Sequence, residues 1–106
     1  MLLDSEVIIP SGQTVSNSVF TGRIPKVVAI ELPTLTSNKV HIQVSTDNVV
    51  FDDIFDLTGT LYEIKSTSGW NYLPAEVSSA MPSFVRIRSA IPEAENRTIR
   101  LFLNRL

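Results

Sequence analysis

Runs of residues that alternate between apolar and polar recur along the chain, and they restrict the folds it can adopt. In the clearest run, Val40, Ile42 and Val44 alternate with polar side chains. Successive side chains of a β-strand point to opposite faces, so the run predicts a strand with one buried and one solvated face. The polar residues 45–48 favour a tight turn, and apolar residues resume at Val49. This stretch therefore predicts a β-hairpin.

Similar runs follow along the whole chain, with turn-forming residues between them. Their spacing is close to the roughly 8–12 residues typical of β-sandwiches and barrels, and no long segment has helical periodicity. With 106 residues, the chain has room for one domain. We predict one all-β domain over residues 1–106, with these strands: Glu6–Ile9, Thr14–Phe20, Lys26–Leu32, Val40–Ser45, Val49–Phe51, Leu61–Lys65, Phe84–Ser89 and Thr98–Asn104.

The residue pattern also predicts where some segments lie in the sheets. Lys26–Leu32 is largely apolar on both faces, with Val28, Ile30 and Leu32 on one of them, which favours a central strand. The mixed segment Thr14–Phe20 favours a strand near an edge. The segment 75–81 is too short for a helix that is stable by itself, so we predict a connection that crosses the end of a sheet.

The composition argues against several classes of function. The net charge is −2 and charged residues make up 19%, so the chain has no strong positive field to attract nucleic acid or anionic lipid. No run approaches the roughly 18 consecutive apolar residues of a membrane span, and Met1-Leu2-Leu3 is too short for a secretory signal core. We expect neither a nucleic-acid nor a membrane partner. The low charged fraction suggests that a partner covers part of the surface.

Residues that carry most enzyme chemistry are scarce. The chain has no cysteine, and its one histidine, His41, falls on the predicted solvated face of a strand. One histidine cannot build a common zinc site or a histidine-dependent triad. No nucleophile–base pair or phosphate-binding loop is recognisable either. We expect a protein that is not an enzyme, without catalytic residues, cofactor or metal, and with His41 at a surface or an interface.

Carboxylates crowd the predicted hairpin and its exit, at Asp47, Asp52, Asp53 and Asp56. Calcium prefers carboxylate and carbonyl oxygens, but the spacing differs from that of an EF-hand loop. Aspartate is also common in β-turns, where it hydrogen-bonds to nearby backbone. A turn is therefore favoured over a calcium site.

Two aromatic residues are candidates for binding. Trp70 and Tyr72 flank Asn71 after a loop of small polar residues. Such a pair suits stacking on a sugar ring or insertion into a partner's pocket. Packing of the tryptophan at the end of the sandwich explains the pattern as well. Both interpretations stay open on the sequence.

Arginines form the second candidate group. Arg86 and Arg88 lie in one predicted strand, and Arg100 and Arg105 lie in or after the next. If these strands are neighbours, the arginines make a basic stripe. A solvated face is the default interpretation, but a stripe on a chain of net charge −2 also suits salt-sensitive head-to-tail or trimeric contacts. We therefore expect partner contacts at Trp70, Tyr72, Arg86, Arg88 and Arg100.

The order of several short motifs resembles that of small bacteriophage virion proteins. The motifs are Leu32-Pro33, the hairpin 40–54, Asp56-Leu57-Thr58-Gly59 and the F-V-R-I-R-S strand 84–89. Asn48 stands where that pattern usually has glycine, and asparagine also tolerates positive φ. The hairpin and the F-V-R-I-R strand are similar as well to the galactose-binding-like jelly roll of discoidin-type modules. Both resemblances imply an antiparallel jelly-roll-like β-sandwich.

The two resemblances imply different functions. The first implies a non-enzymatic virion structural protein, made in the host cytoplasm, that acts as a capsid decoration or cement protein, a head-fibre base, or a neck or tail accessory. Its expected partners are major capsid, portal or tail proteins and further copies of the chain, as a homo-oligomer. The second implies a carbohydrate-binding module for a host-surface glycan. We favour the first and keep the second as the alternative.

Overall fold

The computed structural model describes residues 2–21, 25–55, 57–65, 68–74 and 83–105. Within these ranges the secondary structure consists of nine β-strands, and no helix is long and apolar enough to cross a membrane. The strands are β1 Leu2–Ile9, β2 Val19–Phe20, β3 Pro25–Leu32, β4 Lys39–Ser45, β5 Asp52–Asp53, β6 Ile64–Lys65, β7 Gly69–Tyr72, β8 Phe84–Ser89 and β9 Arg97–Arg105.

Two antiparallel sheets contain these strands. Sheet A has the order β1-β9-β3-β7, and sheet B has the order β2-β8-β4-β5 with β6 also paired to β4. The chain passes from one sheet to the other at every connection except those that join β4, β5 and β6. The predicted all-β antiparallel sandwich is confirmed. The last strand is paired on both sides, by β1 and by β3.

The core lies between the two sheets, where the alternating apolar side chains point. In β8, Val85 and Ile87 are buried while the arginines between them stay partly exposed. In β9, Ile99 and Leu101 are fully buried. Each such side chain contributes about 1.5–3 kcal/mol through the apolar area that it removes from water. The buried residues of both strands are those at the alternating apolar positions of the sequence, as the β-strand pattern predicts.

Strand β3 is central, as predicted, but the residues on its two faces differ from the predicted alternation. The register against β9 shifts between Val27 and Ala29, which leaves Val28 as the extra residue of a β-bulge. Val27 is fully buried in the core, and Val28 is only partly buried. The predicted shared face of Val28, Ile30 and Leu32 is therefore wrong at Val28. A bulge moves one side chain to the other face, which strict alternation does not foresee.

The hairpin is confirmed, because β4 and β5 pair antiparallel. The predicted solvated face of β4 is wrong, since His41 is only 3% exposed and Gln43 and Ser45 are also buried. The strands β8, β5 and β6 flank β4 on both sides, so their side chains crowd its outer face. His41 is thus not the surface residue we expected. Its Nε2 lies 3.3 Å from Glu63 Oε1.

The loop after β4 is closed by its own hydrogen bonds. Asp47 Oδ1 accepts bonds from the backbone N–H groups of Val49 and Val50, at 2.9 and 3.0 Å, and these bonds lower the pKa of Asp47. Asn48 has a φ of 62°, a positive value that asparagine tolerates in place of the glycine usual in the pattern. The strand resumes at Asp52 rather than Val49, because these turns occupy the residues between.

Other segments are shorter than predicted or lie elsewhere. The predicted strand Thr14–Phe20 contracts to β2 at the edge of sheet B, with an isolated bridge from Val15 to Arg88. The predicted strand Leu61–Lys65 contracts to β6. Strand β7 was not predicted. The connection 75–81 and Asp56 lie outside the described residues.

Candidate functional site

Three strands of sheet A bring a group of aromatic and small side chains together on the outer face. Ala29 of β3 lies opposite Tyr72 of β7 on one side and opposite Phe102 of β9 on the other. Trp70, two residues before Tyr72, points to the same face. These side chains and Val28 line an open cleft of about 340 Å³. We call this group of Val28, Ala29, Trp70, Tyr72 and Phe102 the aromatic cleft.

The aromatic residues of the cleft differ in their exposure. Phe102 is 7% exposed, because Trp70 packs against it with ring centroids 3.9 Å apart. Trp70 is itself 49% exposed and Tyr72 is 81% exposed. Trp70 therefore packs on one side and presents the rest to solvent, so packing accounts for only one side of its ring and a buried tryptophan is excluded. Two large aromatic surfaces stand open beside each other on an edge strand.

The bulge and a small residue create the space of the cleft. Ala29 lies between Tyr72 and Phe102 in the cross-strand register, and its methyl group leaves room between the two rings. Val28 lines the same space as the extra residue of the bulge. β-Bulges often lie next to binding sites because they redirect a side chain. The alternation pattern could not reveal this cleft, since the bulge breaks the alternation.

Arg100 borders the cleft but its charge is balanced. Its guanidinium carbon lies 5.1 Å from the centre of the Phe102 ring. Nη2 donates to Asp4 Oδ2 at 2.9 Å and Nη1 donates to Glu31 Oε1 at 3.2 Å. The hydrogen bond to Asp4 and the charge of Glu31 raise the pKa of Arg100. Arg100 therefore lies over the ring of Phe102 and remains paired to two carboxylates.

The predicted basic stripe does not exist, because the last two strands lie in different sheets. Arg86 and Arg88 of β8 point outward from sheet B, whereas Arg100 of β9 points outward from sheet A. Arg88 is also paired, since its Nη2 donates to Asp53 Oδ1 at 3.2 Å. The side chain of Arg105 is outside the described part of the chain. The structure brings Trp70 and Tyr72 together, places Arg100 at their margin, and separates Arg86 and Arg88 from them.

Carboxylates of the hairpin serve the fold. Asp47 closes its own turn, and Asp53 accepts bonds from Gln43 and Arg88. Burial alone would raise the pKa of Asp53, but the bonds from Gln43 and Arg88 outweigh it and lower the pKa. Among the described residues, no group of three or more histidine, aspartate or glutamate side chains is placed to hold a metal ion.

The geometry defines an antiparallel β-sandwich with an open aromatic cleft on one outer face. Among solved structures, the chain is similar to the crystal structure of the SPBc2 prophage-derived protein YomS. The TM-score is 0.55, the sequence identity is 9%, and the match covers 97% of this chain and 94% of that one. At this identity the likeness is one of fold. No protein-family model matches the sequence, and no curated protein matches it.

Proposed function

We propose that the chain is a non-enzymatic bacteriophage structural protein that acts through protein–protein contacts. In this proposal it belongs to the virion, as a capsid decoration or cement protein, a head-fibre base, or a neck or tail accessory. The observation that carries the proposal is the aromatic cleft, where Trp70 and Tyr72 are exposed beside the buried ring of Phe102. The fold of a prophage-derived protein, matched over 97% of the chain, supports the phage origin.

The strand order supports a jelly-roll assignment within this proposal. A jelly roll is built from eight strands in two sheets, and the chain crosses between the sheets at most of its connections. Without the short β6, the orders β1-β9-β3-β7 and β2-β8-β4-β5 have this form. The jelly roll occurs in viral capsid proteins and in lectins. The topology therefore fits both the virion role and the glycan-binding alternative, and the cleft has to discriminate between them.

The lining of the cleft favours an apolar side chain of a protein partner. Val28, Ala29 and Phe102 contribute only hydrocarbon surface, and the polar atoms of the lining side chains are the tips of Trp70 and Tyr72. Binding hot spots at protein interfaces are enriched in tryptophan and tyrosine that are desolvated on contact. A sugar needs several hydrogen-bonding side chains around its hydroxyl groups. The cleft therefore fits an apolar anchor of a second virion protein best.

The proposal is tested on particles from the genome that encodes the chain. Particles assembled without the gene should bind added protein, and the bound protein should sediment with them. Trp70→Ala should weaken this binding by about thirtyfold, which corresponds to the roughly 2 kcal/mol of an interface hot spot. Phe55→Ala is the matched control, because Phe55 is an exposed aromatic that follows β5 and lies outside the aromatic cleft. Failure of the unaltered protein to bind the particles, or equal binding of Trp70→Ala and Phe55→Ala, would contradict the proposal.

Neighbouring reading frames give a second test of the same proposal. Capsid, portal or tail genes beside this one would agree with a virion protein, and an operon of unrelated metabolic genes would contradict it. Light scattering at neutral pH tests the proposed homo-oligomer. A single symmetric assembly is expected, and a strict monomer at the concentrations reached in an infected cell would argue against self-association.

The alternative function is recognition of a host-surface glycan. The exposed pair of Trp70 and Tyr72 favours it, since aromatic faces stack on sugar rings. A glycan array with the unaltered protein would then give a signal that disappears in Trp70→Ala and persists in Phe55→Ala. If the array gives no signal and particle binding depends on Trp70, the glycan alternative is excluded and the protein-docking function is supported.

A further inference from the structure

Arg86 differs from the other arginines whose side chains the structure describes. Arg88, Arg97 and Arg100 each form an ion pair with a carboxylate. Arg86 has no carboxylate partner among the described residues, and its described partners are an amide oxygen and an aromatic ring. The charge of Arg86 therefore forms no ion pair with any carboxylate that the structure describes.

The guanidinium of Arg86 is nevertheless held in place. Its Nε donates to Gln43 Oε1 at 2.8 Å, and its central carbon lies 4.1 Å from the centre of the Phe51 ring. The amide of Gln43 is buried, and its Nε2 donates to Asp53 Oδ1 at 3.1 Å. Asp53 in turn accepts the bond from Arg88 at 3.2 Å. This network fixes which way the amide points and thus where the guanidinium lies.

The hairpin loop brings Phe51 to this position. Ser18, just before β2, donates its hydroxyl hydrogen to Asn48 Oδ1 at 2.6 Å. Because β8 lies between β2 and β4, this bond draws the loop across the outer face of β8. The terminal nitrogens of Arg86 make no hydrogen bond to the described residues, and neither is sealed from solvent. An oxyanion from outside can therefore reach the two donors.

An aromatic pair lies beside this guanidinium. Phe84 precedes Arg86 by two residues in β8, so both side chains point to the same face. Phe20 lies opposite Phe84 in the register, and their ring centroids are 5.2 Å apart. Phe20 is 66% exposed although it stacks on its neighbour. An unpaired cation and an open aromatic surface are thus adjacent at the β2 edge of sheet B.

We propose that Arg86, Phe20 and Phe84 form a docking site for an acidic segment of a partner protein. A glutamate or aspartate of that segment binds the two terminal nitrogens of Arg86, and a neighbouring apolar side chain packs on Phe20. Charge complementarity selects this occupant, because a guanidinium held by neutral groups offers paired donors that match the geometry of a carboxylate. The site lies on the opposite sheet from the aromatic cleft, and it does not depend on the proposed virion role.

The test uses a short peptide as the probe. The blocked pentapeptide Ac-Gly-Leu-Glu-Leu-Gly-NH₂ is titrated into the labelled protein, and NMR follows the Nε–H of Arg86 and the rings of Phe20 and Phe84. We expect shifts at all three residues and an affinity that decreases with added salt. The same peptide with glutamine in place of glutamate should bind at least about tenfold more weakly, as loss of a charge-assisted hydrogen bond predicts.

Variants of the protein separate the site from general attraction. Arg86→Gln should weaken binding of the glutamate peptide at least about tenfold, while Lys65→Gln removes the same charge from an exposed lysine and should leave binding unchanged. Phe20→Ala should weaken binding of the peptide but leave binding of acetate unchanged. If Arg86→Gln does not fold, Arg86→Lys replaces it, because this variant keeps the positive charge. Arg86→Lys should bind the glutamate peptide more weakly than the unaltered protein, because lysine lacks the paired donors.

Several results would overturn the proposal. Equal affinity for the glutamate and glutamine peptides would show that the site does not recognise a carboxylate. Equal weakening by Arg86→Gln and Lys65→Gln would reduce the effect to net charge. If acetate binds as tightly as the peptide, the residues around the glutamate contribute nothing to binding, and the site is an anion contact only.

Discussion

Glu93 illustrates how a single residue can hold two loops of this protein together. The side chain is fully buried, and its carboxylate accepts bonds from the backbone N–H groups of Thr36 and Ser37, at 2.7 and 3.0 Å, and from Nε of Arg97, at 3.1 Å. Burial alone would raise the pKa of Glu93, but these donors outweigh it and lower the pKa. Its place in a loop between Pro92 and Ala94 gave no sign of this role.

Replacement of Glu93 should change both the stability and its dependence on pH. The pKa of Glu93 is lower in the folded protein than the ordinary value of 4.5. Its stabilisation is therefore complete above that value and is lost as the pH falls through the lower, folded value. Glu93→Gln should reduce the free energy of unfolding by about 2–4 kcal/mol at pH 7. It should also make the decrease in stability below about pH 5 shallower.

Urea unfolding at a series of pH values measures both effects. Glu95→Gln is the control, because it removes the same charge from an exposed position of the same loop. A pH dependence in Glu93→Gln as steep as in the unaltered protein would show that other carboxylates, such as those of Asp47, Asp53 and Glu63, account for it.

The backbone of Asn48 provides a second prediction for a single residue. Its φ of 62° is costly for a residue with a Cβ atom and costs glycine little. Asn48→Ala should lower the free energy of unfolding by about 1 kcal/mol more than Asn48→Gly does. Both changes remove the oxygen that Ser18 contacts, so their difference isolates the backbone strain. Equal stabilities in thermal unfolding would show that the loop relaxes out of this conformation.

At the scale of the elements, β9 organises sheet A. It lies between β1 and β3, and its inner side chains reach the middle of the core. Local alternation predicts those inner positions. It cannot predict the neighbours, because a strand that is apolar on one face can pair with any other of the same pattern. The separation of Arg86 from Arg100 follows from this choice of neighbours.

The contribution of β9 to stability can be measured by comparing a leucine-to-alanine substitution in this strand with the same substitution in an exposed loop. Leu101 is fully buried in β9, whereas Leu57 is exposed in the loop after β5. Leu101→Ala should destabilise the protein by about 2–5 kcal/mol through the lost burial and the cavity that remains. Leu57→Ala should change the free energy of unfolding by less than about 0.5 kcal/mol. A small loss for Leu101→Ala in chemical denaturation would mean that the core collapses into the space.

At the scale of the whole molecule, the two ends of the described chain close sheet A. Strand β1 pairs with β9 over residues 2–9 and 97–104, and it places Val7 and Ile9 fully in the core. Pairing of segments so far apart in sequence costs loop-closure entropy before any contact compensates for it. The sandwich can therefore be completed only when both segments are present.

Deletion of residues 1–9 should abolish cooperative unfolding. The deletion uncovers one edge of β9 and removes Val7 and Ile9 from the core. We expect a broad thermal transition by circular dichroism and increased binding of a hydrophobic dye, as for loosely packed states. Ile8→Thr is the control for a change within β1. Ile8 is 44% exposed, so this variant should unfold at nearly the same temperature as the unaltered protein. A sharp transition in the deletion variant would show that β1 is dispensable.

Part of the candidate site was accessible from the sequence. The sequence indicates Trp70 and Tyr72, because an aromatic pair after a loop of small polar residues suits binding, and the structure brings both to one face. Their neighbours Val28 and Ala29 were not identified, since a bulge shifts the register at that point. The unpaired state of Arg86 also escaped sequence reasoning, because pairing depends on Gln43 and Asp53 from strands that are distant along the chain.

The sequence by itself determined the local properties of this protein. Side chains alternate between the two faces of a regular strand, so the inward residues of β8 and β9 and the hairpin could be predicted from nearby residues. Only the tertiary structure decided which strands are neighbours, where β3 bulges, and that the polar face of β4 is buried. Those features arise from contacts between segments far apart along the chain, and a local pattern carries no information about which distant segment will cover it.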